Sequence, residues 1–153
     1  MTAIHIRKAQ EKDLPAVYQL IKELALYEKE PDEPTISLND FVRDGSGENP
    51  KYQVIVAERN QEIAGMALYY LGYSTWKGRM MYLDDLVVKE EYRRQGIGER
   101  LFDALVEAAR ETGVNQLRWH VLDWNEPAIK FYKKIGASLD SEWITCKFEK
   151  ERL

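Results

Sequence analysis

An extended apolar run passes directly into a basic, glycine-containing turn and then into an amphipathic helix. The run covers residues 82–88, and the segment 92–98, here called the glycine turn, opens the helix. Gly96 and Gly98 allow backbone N–H groups to crowd together at a helix N-terminus, where the helix dipole favours negative charge. Arg93 and Arg94 add charge-assisted donors. The sequence therefore predicts a strand–turn–helix unit that can hold a pyrophosphate.

The hydrophobic pattern along the chain predicts a mixed α/β (α+β) sheet rather than a regularly alternating one. A length of 153 residues, with 44% apolar and 31% charged residues, is typical of one globular domain spanning residues 1–153. The element order is β α α β β β α β α β. Strands are expected near residues 4–6, 52–58, 62–71, 80–88, 117–121 and 143–148, and helices over 13–28, 36–42, 97–110 and 125–135.

Composition excludes several classes of function. No apolar run approaches a membrane span and the N-terminus lacks an apolar signal core, which favours a cytoplasmic protein without membrane contact. A net charge of -4 argues against general nucleic-acid binding. With Cys146, His5 and His120 as the whole complement of cysteine and histidine, neither a disulfide nor a metal centre is expected. Cys146 is interpreted as a buried or strand-lining thiol, and His120 as a strand histidine with a structural hydrogen bond.

The glycine turn matches neither of two known phosphate fingerprints. A P-loop requires lysine and then serine or threonine after its last glycine, but Gly98 is followed by Glu99 and Arg100. The dinucleotide motif requires a third glycine where Leu101 stands. What remains is R-x-x-G-x-G directly after a strand. Taken alone, this pattern favours a plain strand-to-helix turn.

The same residues resemble a known family. The segment 93–98 is similar to the acyl-CoA pyrophosphate loop of the GNAT superfamily of N-acetyltransferases, and segments 20–28, 82–88 and 123–137 are similar to its diamine/polyamine (spermidine/spermine) N-acetyltransferase subfamily. The resemblance covers nearly the whole chain. It implies the GNAT acyl-CoA N-acyltransferase fold, a central mixed and mostly antiparallel sheet flanked by helices. It also implies acetyl-CoA as the donor and a homodimer in which C-terminal strands cross between subunits.

Acetyl transfer from a thioester to an amine requires removal of the amine's proton, a donor to the developing oxyanion and a proton for the departing thiolate. The resemblance places Tyr132 beside the sulfur as the proton donor. It makes Asp84, where the family more often has glutamate, the carboxylate that contacts the amine directly or through water. Alternation along a strand predicts that Asp85 lies on the opposite face, as a solvated or ion-paired residue. A ring packed in the core is the structural alternative for Tyr132.

The resemblance also assigns the binding residues. It implies a bulge near residues 86–88, whose backbone groups hold the pantetheine arm. Backbone N–H groups from about Arg94 to Glu99 hold the pyrophosphate. The cofactor-binding set is Leu86, Val87, Val88, Arg93, Arg94, Gln95, Gly96, Ile97, Gly98, Glu99, Asn125, Pro127, Ala128 and Tyr132.

Tyr27, Glu28, Trp76 and Asp84 are the acceptor-binding residues that the resemblance implies. Polyamine enzymes of this subfamily usually carry aspartate where Ser74 stands, which favours a shorter diamine or an amino-acid-like amine. The leading hypothesis is transfer of acetyl from acetyl-CoA to a diamine or polyamine by direct attack in a ternary complex. A thialysine-type or other small-amine acetyltransferase is one alternative, and a catalytically silent CoA-binding module is another.

Overall fold

The computed structural model describes residues 3–153, which form two compact units. The first unit ends at His120 and the second covers Val121–Leu153. A single domain over residues 1–153 stays a prediction. Among residues 3–153, no helix is both long enough and apolar enough to cross a membrane.

The first unit is built on a five-stranded mixed sheet whose strands lie side by side in chain order. Neighbouring strands are antiparallel from the first to the fourth, and the last pair is parallel. This confirms the predicted mixed, mostly antiparallel sheet. The strands are β1 His5–Lys8, β2 Gln53–Arg59, β3 Glu62–Ser74, β4 Gly78–Val88 and β5 Gln116–Trp119.

Helices cover both faces of this sheet. They are α1 Leu14–Tyr27, α2 Leu38–Asp44 and α3 Ile97–Thr112. Met66 and Leu68 of β3 are buried in a cluster with α1 and α2, whereas a Cβ at Gly65 would lie 3.2 Å from the Leu101 side chain of α3. Because successive strand residues point to opposite faces, α3 lies on the face opposite α1 and α2.

The β2–β3 hairpin turns through Asn60 and Gln61, as the sequence predicts. Both residues have positive φ, 53° and 63°, which two-residue hairpin turns of the primed type require. The turn matches the right-handed twist of the two strands that it joins. It thereby sets the position of Glu62, the first residue of β3.

A bulge in β4 redirects the strand at Asp84. Leu83 and Asp85 pair with the consecutive residues Tyr69 and Leu68 of β3, so Asp84 is the extra residue. The parallel pairing of β4 with β5 ends at Leu83. The bulge expected near residues 86–88 therefore lies closer to the start of the strand. An extra residue bends a strand and increases its twist. Among residues 3–153, no strand pairs with that side of β4 beyond Leu83.

The second unit contains α4 Glu126–Lys134 and a short 3-10 turn, Lys150–Arg152. The prediction of a strand over residues 143–148 is wrong, because no regular structure is assigned there. Alternation alone does not make a strand, since its backbone groups need a neighbouring strand to pair with. Trp143, Ile144 and Phe148 are exposed. Cys146 is also exposed, contrary to expectation, with its Sγ 3.7 Å from the carbonyl oxygen of Ile144.

Candidate active site

The glycine turn forms a cluster of backbone donors at the start of α3. Gly96 is the N-cap of this helix with φ 77°, and Arg94 also adopts a left-handed conformation with φ 64°. The bond from the Arg100 N–H to the Gly96 carbonyl closes the first helical turn, at 3.1 Å. The N–H groups of residues 97–99 therefore precede the intrahelical ladder, at the positive end of the helix dipole. This arrangement can accept an anion.

Side chains from β3 and β4 hold the glycine turn in place. The Arg93 Nε donates to the Val88 carbonyl at 3.0 Å, and the Tyr92 hydroxyl donates to the Glu62 carboxylate at 2.8 Å. Lys89 forms an ion pair with the same carboxylate. Glu62 is not predictable as a site residue from the sequence, since nothing local to it indicates a contact with a turn thirty positions downstream.

The backbone of β4 beyond the bulge has one side paired and one side open. The Lys89 N–H donates to Ala64 of β3 at 2.8 Å, so Val87 also directs its polar groups toward β3. Alternate residues of an antiparallel strand direct both backbone groups to the same side. Leu86 and Val88 therefore direct their backbone groups to the opposite side, where the pairing with β5 ends at Leu83. These N–H groups, together with those of α3, can bind an extended polar chain along β4.

Three carboxylates, here called the acid cluster, lie at the bulge and at the end of α1. They belong to Glu28, Asp84 and Asp85. Burial raises the pKa of Glu28, and the charge of Asp84 raises it further. Burial also raises the pKa of Asp84, an effect that His120 partly opposes. The three groups disfavour one another's ionisation, so the cluster is suited to accept a cation or a proton.

Asp85 is the most strongly perturbed member of the acid cluster. Burial, then Asp84 and Glu28, raise its pKa to about 7. The prediction that Asp84 and Asp85 serve opposite faces is wrong, because the bulge interrupts the alternation and both carboxylates lie within electrostatic reach of Glu28. Asp85 pairs with Leu68, whose side chain lies on the face covered by α1. Two adjacent acids within an apolar strand were the signal for this site.

Two aromatic residues and a histidine border the acid cluster within the first unit. The rings of Tyr70 and Tyr82 lie 5.3 Å apart, and those of Tyr82 and His120 lie 5.5 Å apart. The Tyr82 hydroxyl is hydrogen-bonded to Nδ1 of His120. Burial, with a contribution from Asp84, raises the pKa of Tyr82 to about 12. The predicted hydrogen bond of His120 is thus present, although its position beside Asp84 was not foreseen.

The remaining predicted acceptor residues lie at separate places. Tyr27 is the exposed last residue of α1, next to Glu28. Trp76 is exposed in the turn between β3 and β4, where the hydroxyl of Ser74 accepts the Trp76 N–H at 3.2 Å. Between that turn and Asp84, β4 extends for about 20 Å. The structure therefore brings Glu28 and Asp84 together and leaves Trp76 at the far end of the strand.

The second unit contains the other predicted residues, on and before α4. Asn125 is the N-cap of this helix, and its side-chain oxygen accepts the Ala128 N–H at 3.4 Å. Pro127 lies in the first turn, where its missing N–H costs no helical hydrogen bond. Tyr132 follows Asn125 by seven residues, which is two helical turns, so both lie on one side of α4. Its ring lies 5.6 Å from that of Phe131.

Comparison with protein-family models identifies the fold. Residues 14–137 match the acetyltransferase (GNAT) family. The chain belongs to the GNAT family. GNAT acetyltransferases use acetyl-CoA as acyl donor, and the donor cluster at α3 and the open side of β4 fit its pyrophosphate and its amide-containing arm. The resemblance read from the glycine turn is thereby confirmed at the level of the family.

Relatives of this GNAT protein include proteins named as acetyltransferases. The thialysine N-epsilon-acetyltransferase of Bos taurus is 43% identical, over 100% of this chain and 96% of the relative. The human spermidine/spermine N(1)-acetyltransferase-like protein 1 is 35% identical over 100% of this chain, which corresponds to 24% of that longer protein. A solved integron cassette protein from the V. cholerae mobile metagenome superposes with a TM-score of 0.78 at 28% identity, covering 95% of this chain and 92% of its own. The protein is an acetyl-CoA N-acetyltransferase of the GNAT family.

Proposed function

We propose that this protein transfers the acetyl group of acetyl-CoA to a primary amine of a small molecule, by direct attack in a ternary complex. One observation carries the proposal: β4 joins an anion-binding helix N-terminus to a cluster of carboxylates. The strand from Asp84 to Val88 spans about 13 Å. A donor extended along the open side of β4, with its pyrophosphate at α3, has its thioester near the bulge.

The donor-binding residues follow from this orientation. Backbone N–H groups of Arg94 to Glu99 hold the pyrophosphate, and Arg93 holds the turn against Val88. The backbone groups of Leu86 and the N–H of Val88, which face the open side, hold the pantetheine arm, and one N–H points at the thioester carbonyl. Asn125, Pro127 and Ala128 complete the binding set, as the resemblance implies.

The acid cluster removes the proton that makes the amine unreactive. An alkylammonium group has a pKa of about 10.4, so at neutral pH it needs a base before it can attack. Asp84 accepts the cation, and Asp85, with its pKa of about 7, takes up the proton directly or through water. A carbon–nitrogen bond then forms as the carbon–sulfur bond breaks. Tyr132 donates a proton to the departing thiolate.

Two acceptor classes match different features. The carboxylates of Glu28 and the Asp84–Asp85 pair suit a diamine or polyamine, with Tyr27 as a further contact. Ser74, where polyamine enzymes of the subfamily usually have aspartate, suits a shorter or amino-acid-like amine, as do relatives named for thialysine. The cytoplasm as the compartment and a homodimer formed through the C-terminal segment are predictions from the same resemblance.

A panel of amines tests the proposal. Purified protein with acetyl-CoA is mixed in turn with putrescine, spermidine, lysine and thialysine, and the released CoA thiol is titrated with a chromogenic disulfide. We expect release above the amine-free rate with at least one amine, with mass-spectrometric detection of its N-acetyl product. Thermal stabilisation by acetyl-CoA without release from any amine would instead identify a silent CoA-binding module.

A further inference from the structure

A polar row crosses the sheet beside the acid cluster, through β3, β4 and β5. Tyr82 is the register partner of Tyr70 on one side and of Arg118 on the other, so the three side chains share one face. His120 follows Arg118 by two residues and contacts Tyr82 on that face. The row lies on the face covered by α1, the same face as Asp85. Arg118 and His120 thus share the sheet face that carries Asp85, and the charge of His120 acts on Asp84.

The hydrogen bond between Tyr82 and His120 sets which imidazole nitrogen can bind a ligand. The Tyr82 hydroxyl is protonated at neutral pH, and burial raises its pKa further, to about 12. When this hydroxyl donates to Nδ1, the neutral imidazole carries its proton on Nε2. Nε2–H is then a donor. His120 presents a hydrogen-bond donor whether the ring is neutral or protonated.

Arg118 retains donors beyond those that fix its side chain. Its Nε and Nη2 donate to the side-chain oxygen of Gln116, at 3.2 and 2.8 Å. A guanidinium has five N–H groups, so those of Nη1 lie outside this contact. The charge of Arg118 lowers the pKa of Tyr82 against the larger effect of burial, which places the guanidinium within electrostatic reach of the tyrosine. Arg118 is exposed and is oriented along its own strand by Gln116.

We propose that Arg118 and His120 form a carboxylate-binding subsite, and that the acceptor is an amino acid with a terminal primary amine. The inference rests on the proposed acetyl transfer and specifies its substrate class. Asp84 follows Tyr82, the partner of Arg118, by two positions along β4, a distance of about 7 Å. This is about the extent of a lysine-like side chain. The α-carboxylate binds the basic pair while the terminal amine lies at the acid cluster.

Charge also selects against the competing substrate. A diamine of the same length would place its second ammonium beside the Arg118 guanidinium, whose like charge repels it. Specificity is a difference between two affinities: Arg118 and His120 attract the carboxylate, and Arg118 disfavours the second ammonium. A charge-assisted bidentate contact from arginine suits a carboxylate in particular. Position 118 therefore controls the choice between an amino acid and its decarboxylated counterpart.

The test compares two acceptors that differ by one carboxylate, thialysine and bis(2-aminoethyl) sulfide. We measure kcat/KM for each, with the value for the symmetric diamine halved for its two equivalent amines. Unmodified protein should prefer thialysine, and Arg118→Gln should lower the ratio of the two values about tenfold, mainly through the KM for thialysine. Arg118→Lys, which keeps the charge, should retain part of the preference.

Arg110→Gln is the matched control. Arg110 is an exposed arginine of α3, the helix on the sheet face opposite the proposed subsite, and it forms an ion pair with Glu107. This variant should leave the ratio unchanged. An unmodified protein with no preference for thialysine, or Arg118→Gln with an unchanged ratio, would overturn the carboxylate subsite. Absence of CoA release with either acceptor and with the wider panel would instead refute the proposed acetyl transfer.

Discussion

Replacing Asp85 with asparagine should make the folded protein more stable at pH 8 while lowering its activity. In the folded protein, burial, Asp84 and Glu28 raise the pKa of Asp85 from its ordinary value of 3.8 to about 7. Above pH 7 the folded state must hold a charge that its surroundings disfavour, whereas the unfolded chain ionises freely. The cost to stability is absent below about pH 4, grows between pH 4 and 7, and is complete above pH 7. Asparagine carries no charge and therefore removes this cost to stability.

The magnitude follows from the size of this pKa change. A rise from 3.8 to about 7 corresponds to at most about 4 kcal/mol of native-state destabilisation. Solvent reaches the half-buried site, and asparagine leaves polar atoms to be satisfied. We therefore expect a gain of about 1–2 kcal/mol at pH 8 and close to zero at pH 4. For a chain of this length the midpoint temperature should rise by about 3–8 °C at pH 8.

Urea unfolding followed by circular dichroism at pH 4.5, 6 and 8 measures the difference between Asp85→Asn and the unmodified protein. Asp103→Asn is the control, since Asp103 is an exposed aspartate on α3, and it should show no comparable pH-dependent gain. In parallel, we measure the pH dependence of kcat/KM. If Asp85 takes up the proton, the decrease of kcat/KM below about pH 7 should be absent in Asp85→Asn. A loss of stability at pH 8, or the same gain at pH 4.5 and pH 8, would refute the reasoning.

Two further predictions concern the donor side. Gly96→Ala should weaken acetyl-CoA binding about fivefold in calorimetric titration, because φ 77° costs a non-glycine residue about 1 kcal/mol. No atom lies within 4 Å to clash with the added Cβ, so the backbone conformation is the cause tested. Unchanged affinity would contradict a role for this conformation. Tyr132→Phe should lower kcat by about a hundredfold with little change in acetyl-CoA affinity. The exposed Tyr73→Phe serves as its control, and equal kcat values in the two variants would remove Tyr132 from the acid role.

Elements defined by local signals were predicted well from the sequence. The hairpin at Asn60–Gln61, the helix begun by Gly96 and ended by Gly113, and the α4 cap at Asn125 each depend on residues within a few positions of one another. Cap residues and left-handed glycines act through short-range sterics and hydrogen bonds. Such signals do not depend on the rest of the fold.

Predictions that required a neighbouring strand were less successful. The alternation of residues 143–148 resembles a strand, but no strand pairs with that segment among residues 3–153. The bulge lies at Asp84 rather than near residues 86–88 because its position depends on the register between β3 and β4. Pairing is a property of two segments far apart in sequence, so periodicity in one of them does not determine it.

By itself the sequence determined the family of the chain, the glycine turn with its N–H groups, and the presence of carboxylates at positions 84 and 85. These follow from residue type and short spacing. Only the tertiary structure decided that the bulge places both carboxylates near Glu28, and that burial makes the pKa of Asp85 the most perturbed among them. It also decided that Tyr82 is hydrogen-bonded to His120 beside Asp84. Burial and electrostatic coupling depend on which distant segments the fold brings together, and so they cannot be derived from the order of residues alone.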